Sequence, residues 1–358
     1  MKIAIILGTR PEIIKMAPII RELEGRRRDY FILHTGQHYS YNLDRVFFEQ
    51  LELPGARYNL EAGSGSHAEE TGRMLIGIEP VLNREKPDWV LVEGDTNSVL
   101  AGALAAAKLH IGVGHVEAGL RSYDRNMPEE INRILADHVA DQLYAPTPQA
   151  KEILRREGIP EERIFITGNT IVDAVRQNVT LAAEKSHVLK DLGLEPGAYF
   201  LVTLHRQENV DDKQRFSAIL EGIRRVAADS PAPVIYPVHP RSRKRLEEFG
   251  LAAEGISLVE PVDFLGFLQL ESHARLILTD SGGVQEEACI LQVPCVTLRD
   301  NTERPETVSA GANALAGAEP EKIRESARIM MSRQRNWANP FGDGHTGRKI
   351  IDILEAAK

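Results

Sequence analysis

Short apolar runs alternate with amphipathic segments along almost the whole chain. The runs are nearly continuous in apolar residues, which predicts strands buried on both faces of a parallel sheet. In the first half, the predicted strands are Lys2–Leu7, Tyr30–Thr35, Trp89–Glu93, Ile111–Glu117, Gln142–Ala145 and Ile164–Thr167. In the second half, they are Tyr199–Leu204, Val234–Val238, Ser257–Val259, Leu276–Leu278, Pro294–Leu298 and a weak strand at Asn313–Leu315.

The intervening segments repeat apolar residues at helical spacing, which is typical of helices with one buried face. The predicted helices are Glu12–Glu24, Asn42–Leu51, His67–Glu85, an alanine-rich segment ending at Leu109, Glu129–Val139, Pro148–Glu157, a connector at Ile171–Leu192, Asp212–Ala228, Ser242–Phe249, Asp263–Ala274, Gln285–Leu291, Pro320–Ser332 and Thr346–Ala357. This alternation predicts an α/β protein with two doubly wound, Rossmann-like parallel-sheet domains and a ligand-binding cleft between them.

Composition narrows the class of protein. The chain has 358 residues, enough for two domains, and 42% of them are hydrophobic. No apolar run approaches the length of a membrane span, and Met1–Leu7 is interpreted as a first strand instead of a signal peptide. Cys289 and Cys295 lie in apolar segments, which predicts neither a disulfide nor a metal site and favours a cytoplasmic location.

The net charge and the lack of cofactor motifs argue against further classes of function. The net charge of −9 argues against a nucleic-acid surface, although local cations can still attract a small anion. No Gly-x-Gly-x-x-Gly fingerprint follows a predicted strand, so we expect no nicotinamide cofactor. We also expect no bound metal, because no ligand spacing is convincing.

Polar residues cluster after the predicted strands, where ligands of such sheets bind. Each has an ordinary explanation as well: Asp95 as a helix N-cap, Glu117 as a partner of Arg121, and His205 as a satisfied interface histidine. Their common position at the carboxyl ends of the strands favours a role in ligand binding or catalysis. These candidates are Arg10, Lys15, Asp95, Glu117, Glu129, His205, Ser281, Gly282, Gly283, Glu287 and Arg304.

The segment Thr279–Glu287 has the pattern of a phosphate site. A buried strand leads through Ser281-Gly282-Gly283 into a helix, so backbone N–H groups and the positive end of the helix dipole converge on one point. A tight turn with an acidic first helical turn is the alternative interpretation.

The chain resembles the non-hydrolysing UDP-N-acetylglucosamine 2-epimerases in eight motifs that occur in family order. The motifs are Gly8–Pro18, Gly94-Asp95-Thr96, His115–Arg121, Pro128–Arg133, Ile166–Thr170, Thr203–Arg206, Thr279–Glu287 and Arg299–Pro305. The resemblance implies a GT-B-like pair of domains, one of residues 1–168 with 340–358 and one of residues 169–339. It also implies a homodimer, a role in polysaccharide biosynthesis, and a C-terminal helix that crosses back onto the first domain.

The resemblance also implies roles for individual residues. Nucleotide contacts fall on Arg10, Phe267, Ser281, Gly282, Gly283, Glu287 and Arg304, and contacts near the sugar and pyrophosphate fall on Lys15, Asp95, Glu117, Glu129 and His205. The sequence departs from the family at Val262, where a glutamine often contacts the uracil region. A second, allosteric substrate site would fall near Gln37 and His38.

The expected reaction is reversible epimerisation at C2 through elimination of UDP, which needs cations at the pyrophosphate and a carboxylate at C2. Our hypothesis gives the acid–base work to Asp95, Glu117 and Glu129, opposite His205. Near-normal turnover of both Asp95→Asn and Glu117→Gln would contradict it. Three alternatives remain open at this stage: a hydrolysing epimerase that releases N-acetylmannosamine, a GT-B glycosyltransferase, and a sugar-nucleotide sensor.

Overall fold

The computed structural model describes residues 1–36 and 41–357, with the backbone alone at residues 41–44. The chain divides into two compact units. Unit 1 comprises residues 1–176 and 341–358, and unit 2 comprises residues 177–340. The predicted allosteric contacts at Gln37 and His38 lie outside the described residues.

Unit 1 is built on a parallel sheet. Its strands are β1 (Lys2–Leu7), β2 (Asp29–His34), β3 (Tyr58–Asn59), β4 (Trp89–Glu93), β5 (Gly112–Val116), β6 (Gln142–Ala145) and β7 (Ile164–Ile166). Its helices are α1 (Arg10–Gly25), α2 (Tyr41–Gln50), α3 (His67–Glu85), α4 (Asn97–Lys108), α5 (Pro128–Val139), α6 (Pro148–Arg156) and, from the C-terminus, α16 (Thr346–Ala356). A 3-10 turn at Glu161–Arg163 precedes β7, and α7 (Thr170–Lys185) carries the chain into unit 2.

Unit 2 repeats the architecture with a smaller sheet. Its strands are β8 (Phe200–Thr203), β9 (Val234–Pro237), β10 (Ile256–Val259), β11 (Leu276–Thr279), β12 (Cys295–Thr297) and β13 (Asn313–Leu315). Its helices are α8 (Val188–Asp191), α9 (Gln207–Val210), α10 (Lys213–Ala228), α11 (Pro240–Phe249), α12 (Phe264–Ser272), α13 (Gly282–Ile290), α14 (Pro305–Ser309) and α15 (Pro320–Met331).

Both sheets reverse their strand order at one point. The order is β3-β2-β1-β4-β5-β6-β7 in unit 1 and β10-β9-β8-β11-β12-β13 in unit 2, and every pairing is parallel. The chain therefore leaves β1 in one direction and β4 in the other, and it does the same at β8 and β11. Ligands of open α/β sheets bind beyond the carboxyl ends of the strands at such switch points. The predicted fold class is confirmed.

Both faces of each sheet are covered. In unit 2, Phe200 and Val202 pack into one buried cluster, whereas Tyr199 and Leu201 pack into the cluster on the opposite face. Successive strand residues point to opposite faces, so a strand covered on both sides must be apolar throughout. This explains the continuous apolar runs of the sequence.

Some element limits differ from the sequence predictions. The predicted connector helix Ile171–Leu192 is interrupted between α7 and α8, where the Ser186 hydroxyl accepts the N–H of Val188 at 3.3 Å. A serine side chain that bonds a nearby backbone group competes with helical hydrogen bonding. Helix α13 begins at Gly282, which places both glycines of the predicted turn in its first helical turn.

The C-terminal helix α16 packs on α1. The N–H of Gly347 donates to the carboxylate of Asp173 at 2.9 Å, and a Cβ at residue 347 would lie 3.0 Å from the carbonyl of Pro18. The absence of a side chain at Gly347 therefore permits this close approach. Ile350, Ile351 and Leu354 of α16 are fully buried.

Candidate active site

The switch point of unit 1 lies beyond the ends of β1 and β4. The chain turns from β1 into α1 through Gly8, where an added Cβ would lie 2.0 Å from Thr35 Oγ1. The buried carboxylate of Glu12 closes this turn: it accepts the Gly8 N–H at 2.8 Å and the Thr96 hydroxyl at 2.7 Å. Because Thr96 follows β4, Glu12 ties the two strand ends together.

An ammonium and two carboxylates meet at this point. Lys15 Nζ lies 3.2 Å from Glu93 Oε1 and also pairs with the carboxylate of Glu117. All three side chains are largely buried. The structure therefore brings together two predicted residues, Lys15 and Glu117, and adds Glu93. The ordinary explanation of Glu117 as a partner of Arg121 is not supported, because Glu117 pairs with Lys15, whereas Arg121 pairs with Asp137 and Glu157.

Burial and charge act together on Glu93. Burial raises the pKa of Glu93 well above its ordinary value. The Lys15 ammonium opposes this effect, and the adjacent Glu117 carboxylate adds to it. Both burial and the adjacent carboxylate therefore favour the protonated form of Glu93.

Glu117 has an unusual backbone conformation. Its φ is +66°, in the left-handed region that residues with a side chain seldom adopt. Such strain persists only where the surroundings over-determine it, and it is frequent at functional sites. Here the residue follows directly after β5, and its side chain is fixed by Lys15.

A buried network stabilises the loop around Glu117. His115 Nδ1 donates to Asp137 at 2.7 Å, and its Nε2 donates to the carbonyl of Gly94 at 2.8 Å. Arg121 lies 2.7 Å from the same Asp137 carboxylate. Burial alone would lower the pKa of His115, but the charge of Asp137 and the hydrogen bonds to Asp137 and Gly94 together raise it. Both ring nitrogens face acceptors, which favours the imidazolium form of His115.

Asp95 is not a helix cap. The N-cap of α4 is Thr96, whose hydroxyl accepts the N–H of Val99. The Asp95 carboxylate instead pairs with Arg133 of α5, and its backbone carbonyl accepts from Asn132 at 2.9 Å. The side chain keeps 32% of its surface exposed. A ligand can therefore reach an acid whose position is set by an arginine.

Two predicted residues of unit 1 stand apart from these acids. Glu129 is exposed in the first turn of α5, and its carboxylate makes no hydrogen bond to the residues that the structure describes. The next residue, Glu130, is buried and accepts backbone N–H groups from Ser122 and Tyr123, each at 2.9 Å. The exposed guanidinium of Arg10 lies 5.0 Å from the ring centroid of Phe47.

The switch point of unit 2 is the start of α13. The hydroxyls of Thr203 and Thr279 bond at 2.5 Å across the ends of β8 and β11, and Thr279 also accepts the N–H of Ser281 at 2.9 Å. Ser281 is the N-cap of α13, so Gly282 and Gly283 present backbone N–H groups at the positive end of its dipole. This arrangement suits a phosphate group.

His205 lies beside this helix start. Its Nδ1 is 3.0 Å from Asp280 Oδ1, and the backbone N–H groups of His205 and Arg206 also donate to the Asp280 carboxylate. Burial alone would raise the pKa of Asp280, but its bonds to His205 and the backbone N–H groups lower it. A buried carboxylate at Nδ1 fixes the orientation of the ring and leaves Nε2 available to a ligand.

A cavity of about 260 Å³ opens next to His205 and Ser281. Its walls are mainly apolar and include the predicted Phe267 and the departing residue Val262. The remaining lining residues are Thr203, Leu204, Pro237, His239, Pro261 and Val284. A flat, weakly polar group such as a nucleobase fits walls of this kind.

The remaining predicted residues of unit 2 have carboxylate neighbours. Arg304 Nε lies 2.6 Å from the buried Glu286, which fixes the arginine at the start of α14. Glu287 is partly buried, and its carboxylate acts on that of the buried Glu271. Burial, together with the charge of Glu287, raises the pKa of Glu271 well above its ordinary value.

The structure adds residues that the sequence prediction missed, above all Glu93, Asp280 and Arg133. A signal existed for Glu93, because a charged residue that ends an otherwise apolar strand requires a buried partner. Asp280 follows β11 in the same way. No local signal assigns Arg133 to Asp95, because that pair forms only when α5 packs beside α4.

No helix among the described residues is long and apolar enough to cross a membrane. Within the same residues, no group of three or more His, Cys, Asp or Glu side chains is arranged to hold a metal ion.

The chain matches known proteins over its whole length. It is 57% identical to the UDP-N-acetylglucosamine 2-epimerase of Methanocaldococcus jannaschii, with all of each chain covered. A crystal structure of that organism's UDP-GlcNAc 2-epimerase, in complex with UDP-GlcNAc and UDP, superposes with a TM-score of 0.87 at 58% identity and covers 99% of this chain and 100% of that one.

More distant relatives vary in their substrate. The UDP-2,3-diacetamido-2,3-dideoxy-D-glucuronate 2-epimerase of Pseudomonas aeruginosa is 42% identical over 99% of each chain. The calicheamicin glycosyltransferase CalG4 superposes with a TM-score of 0.60 at 15% identity, covers 99% of this chain and 97% of its own, and shows that the fold is GT-B-like.

A family model gives the assignment directly. The model described as UDP-N-acetylglucosamine 2-epimerase matches residues 21–355. This span includes both units and all but two of the predicted site residues, Arg10 and Lys15. The chain therefore belongs to the UDP-N-acetylglucosamine 2-epimerase family.

Proposed function

We propose that this protein catalyses the reversible, non-hydrolytic epimerisation of UDP-N-acetylglucosamine to UDP-N-acetylmannosamine. The bond from C1 to the UDP oxygen breaks while a base takes the C2 proton, which gives bound 2-acetamidoglucal and UDP. Return of a proton to the other face of C2, with re-formation of the C1–O bond, gives the manno product. Atoms and electrons balance without a redox cofactor.

Unit 2 would bind the UDP portion of the substrate. The N–H groups of Gly282 and Gly283 would receive the pyrophosphate, and His205 would donate to it from Nε2 when protonated. The apolar cavity at Phe267 would take the uracil. Glu287, one helical turn further along α13, would accept the ribose hydroxyls. Arg304, fixed by Glu286, would add positive charge near the departing UDP.

Unit 1 would supply the acid–base groups. The observation that carries the proposal is the cluster of Lys15, Glu93 and Glu117 at the switch point of the sheet, next to the accessible Asp95. Proton transfer at carbon near neutral pH needs carboxyl groups with different pKa values, so that one is protonated while another is ionised. Burial and the shared ammonium supply that difference here.

The ion pairs refine the role of Lys15. Its ammonium already faces the carboxylates of Glu93 and Glu117, so most of its charge is used inside unit 1. We therefore assign Lys15 to holding the carboxylates, and the stabilisation of departing UDP to His205, Arg10, Arg304 and the α13 N–H groups. Glu129 is exposed and free to act as a third acid.

Incubation with UDP-N-acetylglucosamine in D₂O tests the reaction. We expect deuterium at C2 of a UDP-linked manno product, observed by NMR, because the C2 proton exchanges with solvent in the glycal state. Accumulation of free N-acetylmannosamine and UDP would identify a hydrolase instead. Unchanged, unlabelled substrate would contradict epimerisation and leave sugar transfer or sensing.

The relative from Pseudomonas aeruginosa motivates a second candidate substrate, a UDP-linked diacetamido uronate. The same elimination applies, since the reacting C2 centre is unchanged. Turnover of both nucleotide sugars should be compared by the same NMR assay. A higher kcat/KM for the uronate would identify it, instead of UDP-N-acetylglucosamine, as the preferred substrate. The proposed chemistry at C2 would stay the same.

A further inference from the structure

Glu93 belongs to the acid cluster of unit 1 but cannot itself reach a substrate. It is the last residue of β4 and only 2% of its surface is exposed. Lys15 Nζ of α1 is 3.2 Å from its carboxylate, and the Glu117 carboxylate lies beside it on the same ammonium. Any influence of Glu93 on a reaction must therefore pass through these two neighbours.

The charges around Glu93 do not balance if both carboxyl groups are ionised. One ammonium would then face two carboxylates inside a buried cluster, which is costly at low dielectric. Glu12 is a third acid on this side, presented by α1, and burial raises its pKa as well. On the opposite face of the sheet, His115 is already bonded to Asp137 and Gly94. One bound proton removes the imbalance.

Geometry decides which carboxyl group holds that proton. Lys15 makes its closer contact with Glu117, which is the better placed of the two to stay ionised. Glu93 is the more deeply buried residue, and burial raises its pKa well above the ordinary value. The proton is therefore expected on Glu93, on the side that faces Glu117.

We propose that Glu93 is a positioning residue, a neutral carboxylic acid that donates a hydrogen bond to the Glu117 carboxylate and completes a neutral triad with Lys15. This inference rests on the proposed function, in which Glu117 acts on the sugar. The donated bond and the ammonium hold Glu117 in its left-handed conformation from two sides. Loss of the proton at alkaline pH would place a second negative charge against Glu117.

Infrared spectroscopy tests the protonation state without any turnover. Protein carrying ¹³C-labelled glutamate should show a carboxylic-acid C=O band at neutral pH that is missing from Glu93→Gln. Any bands from other buried acids, such as Glu12 and Glu271, would be common to both proteins, so the difference isolates Glu93. An unchanged glutamic-acid band in Glu93→Gln would overturn the proposal.

Kinetics test the positioning role. Glu93→Gln keeps a neutral donor to Glu117, so kcat at neutral pH should stay within about threefold of the original value, whereas Glu93→Leu should lose about 10- to 100-fold. The fall of kcat at alkaline pH should disappear in Glu93→Gln, which has no proton to lose. Because Glu93 does not touch the substrate, KM should change little.

A matched control is Asp173→Asn, which removes another buried acid of unit 1 whose pKa burial raises. Its alkaline profile should keep the original shape. Equal damage from Glu93→Gln and Glu93→Leu would mean that the negative charge is needed, which contradicts the proposal. If Glu93→Leu does not fold, the glutamine variant and the infrared band still decide.

Failure of the two proposals can be told apart. If the protein shows the Glu93 band but does not turn over nucleotide sugars, the neutral Glu93 is supported and the proposed function is wrong. If it is an active epimerase without that band, the proposed function is supported and the neutral triad is wrong.

Discussion

At the scale of single residues, polar side chains at the candidate sites are each held in place by a partner of opposite charge. Asp280 orients His205, Glu286 fixes Arg304, and Lys15 pairs with Glu117. A ligand-facing group with few rotamers left loses little entropy when a substrate binds. We therefore expect the partners to influence activity through the groups that they hold.

Replacing Asp280 by asparagine should lower kcat. The amide loses the charge that holds Nδ1–H of His205, so the ring is free to take the other tautomer. We expect a loss of about 100-fold in epimerisation, the size typical of losing one preorganised hydrogen-bond donor to a developing negative charge. Asp300→Asn is the control, because Asp300 is exposed and pairs with Arg215 outside the cavity. Equal kcat values for both variants would contradict the role of Asp280.

The pair of His115 and Asp137 should make stability depend on pH in two directions. The raised pKa of His115 stabilises the fold below its unfolded pKa of about 6.5, and this is lost as pH rises through the folded value. The lowered pKa of Asp137 stabilises the fold above about 3.9, and this is lost as pH falls. The pair thus stabilises most between these values.

The measurement compares Tm with that of His115→Gln from pH 4 to pH 9. The deficit of the variant should be largest near pH 5 and should shrink in alkaline buffer. His138→Gln, at an exposed histidine of α5, should show a small deficit throughout. A His115→Gln deficit that grows with pH would show that the histidine is neutral in the fold.

At the scale of elements, the first turn of α13 is a place where protein stability and nucleotide binding should respond differently to the same substitution. Its first residues, Gly282 and Gly283, have negative φ, and a Cβ at Gly283 would meet no atom closer than 3.9 Å. The backbone thus has no conformational need for glycine there. We expect instead that the glycines leave room for a ligand at the helix start, such as the proposed pyrophosphate.

Gly283→Ala should therefore raise stability and weaken nucleotide binding. Alanine favours a helix by up to about 1 kcal/mol over glycine, whereas its methyl group intrudes on the space of a phosphate. We expect a higher Tm and a Kd for UDP at least about tenfold weaker by calorimetry. Gly72→Ala in α3, where a Cβ meets nothing within 4 Å, should raise Tm alone. Unchanged UDP affinity in Gly283→Ala would place the pyrophosphate elsewhere.

At the scale of the whole molecule, the chain forms two compact units, and unit 1 is made of two segments that are separated in the sequence by unit 2. Unit 1 is completed by residues 341–358, which return after unit 2. Phe341 accepts the N–H of Asn169 at 2.8 Å, and α16 packs on α1 through its buried apolar face. The last residues of the chain thus belong to the core of the first unit.

Ile351→Ala should accordingly destabilise unit 1 alone. Ile351 is fully buried in α16, and truncation of a buried isoleucine costs about 2–5 kcal/mol. In calorimetry we expect one unfolding transition to move down by several degrees while the other stays in place. Ile329→Ala, at a half-exposed position of α15 in unit 2, should change either transition little. A shift of both transitions by Ile351→Ala would indicate that the units unfold together.

The sequence by itself determined the elements and the chemistry at the strand ends. Apolar runs and helical periodicity are local properties, because a strand covered on both faces or a one-sided helix imposes its pattern on neighbouring residues. The Ser281-Gly282-Gly283 motif is local in the same way, since strand, turn and helix start lie within a few residues. Most element limits agree within two residues, and the departures, at Ser186 and Gly282, occur beside serine side chains that accept backbone N–H groups.

Only the tertiary structure decided which charges meet. Lys15 and Glu117 are 102 residues apart, and they pair because the chain reverses direction between β1 and β4. The same reversal buries Glu93 beside them, and its counterpart between β8 and β11 brings Asp280 under His205. Strand order depends on the packing of every helix against both sheet faces, and no local pattern carries that information. Protonation states, which follow from burial and partners, are fixed only at that level.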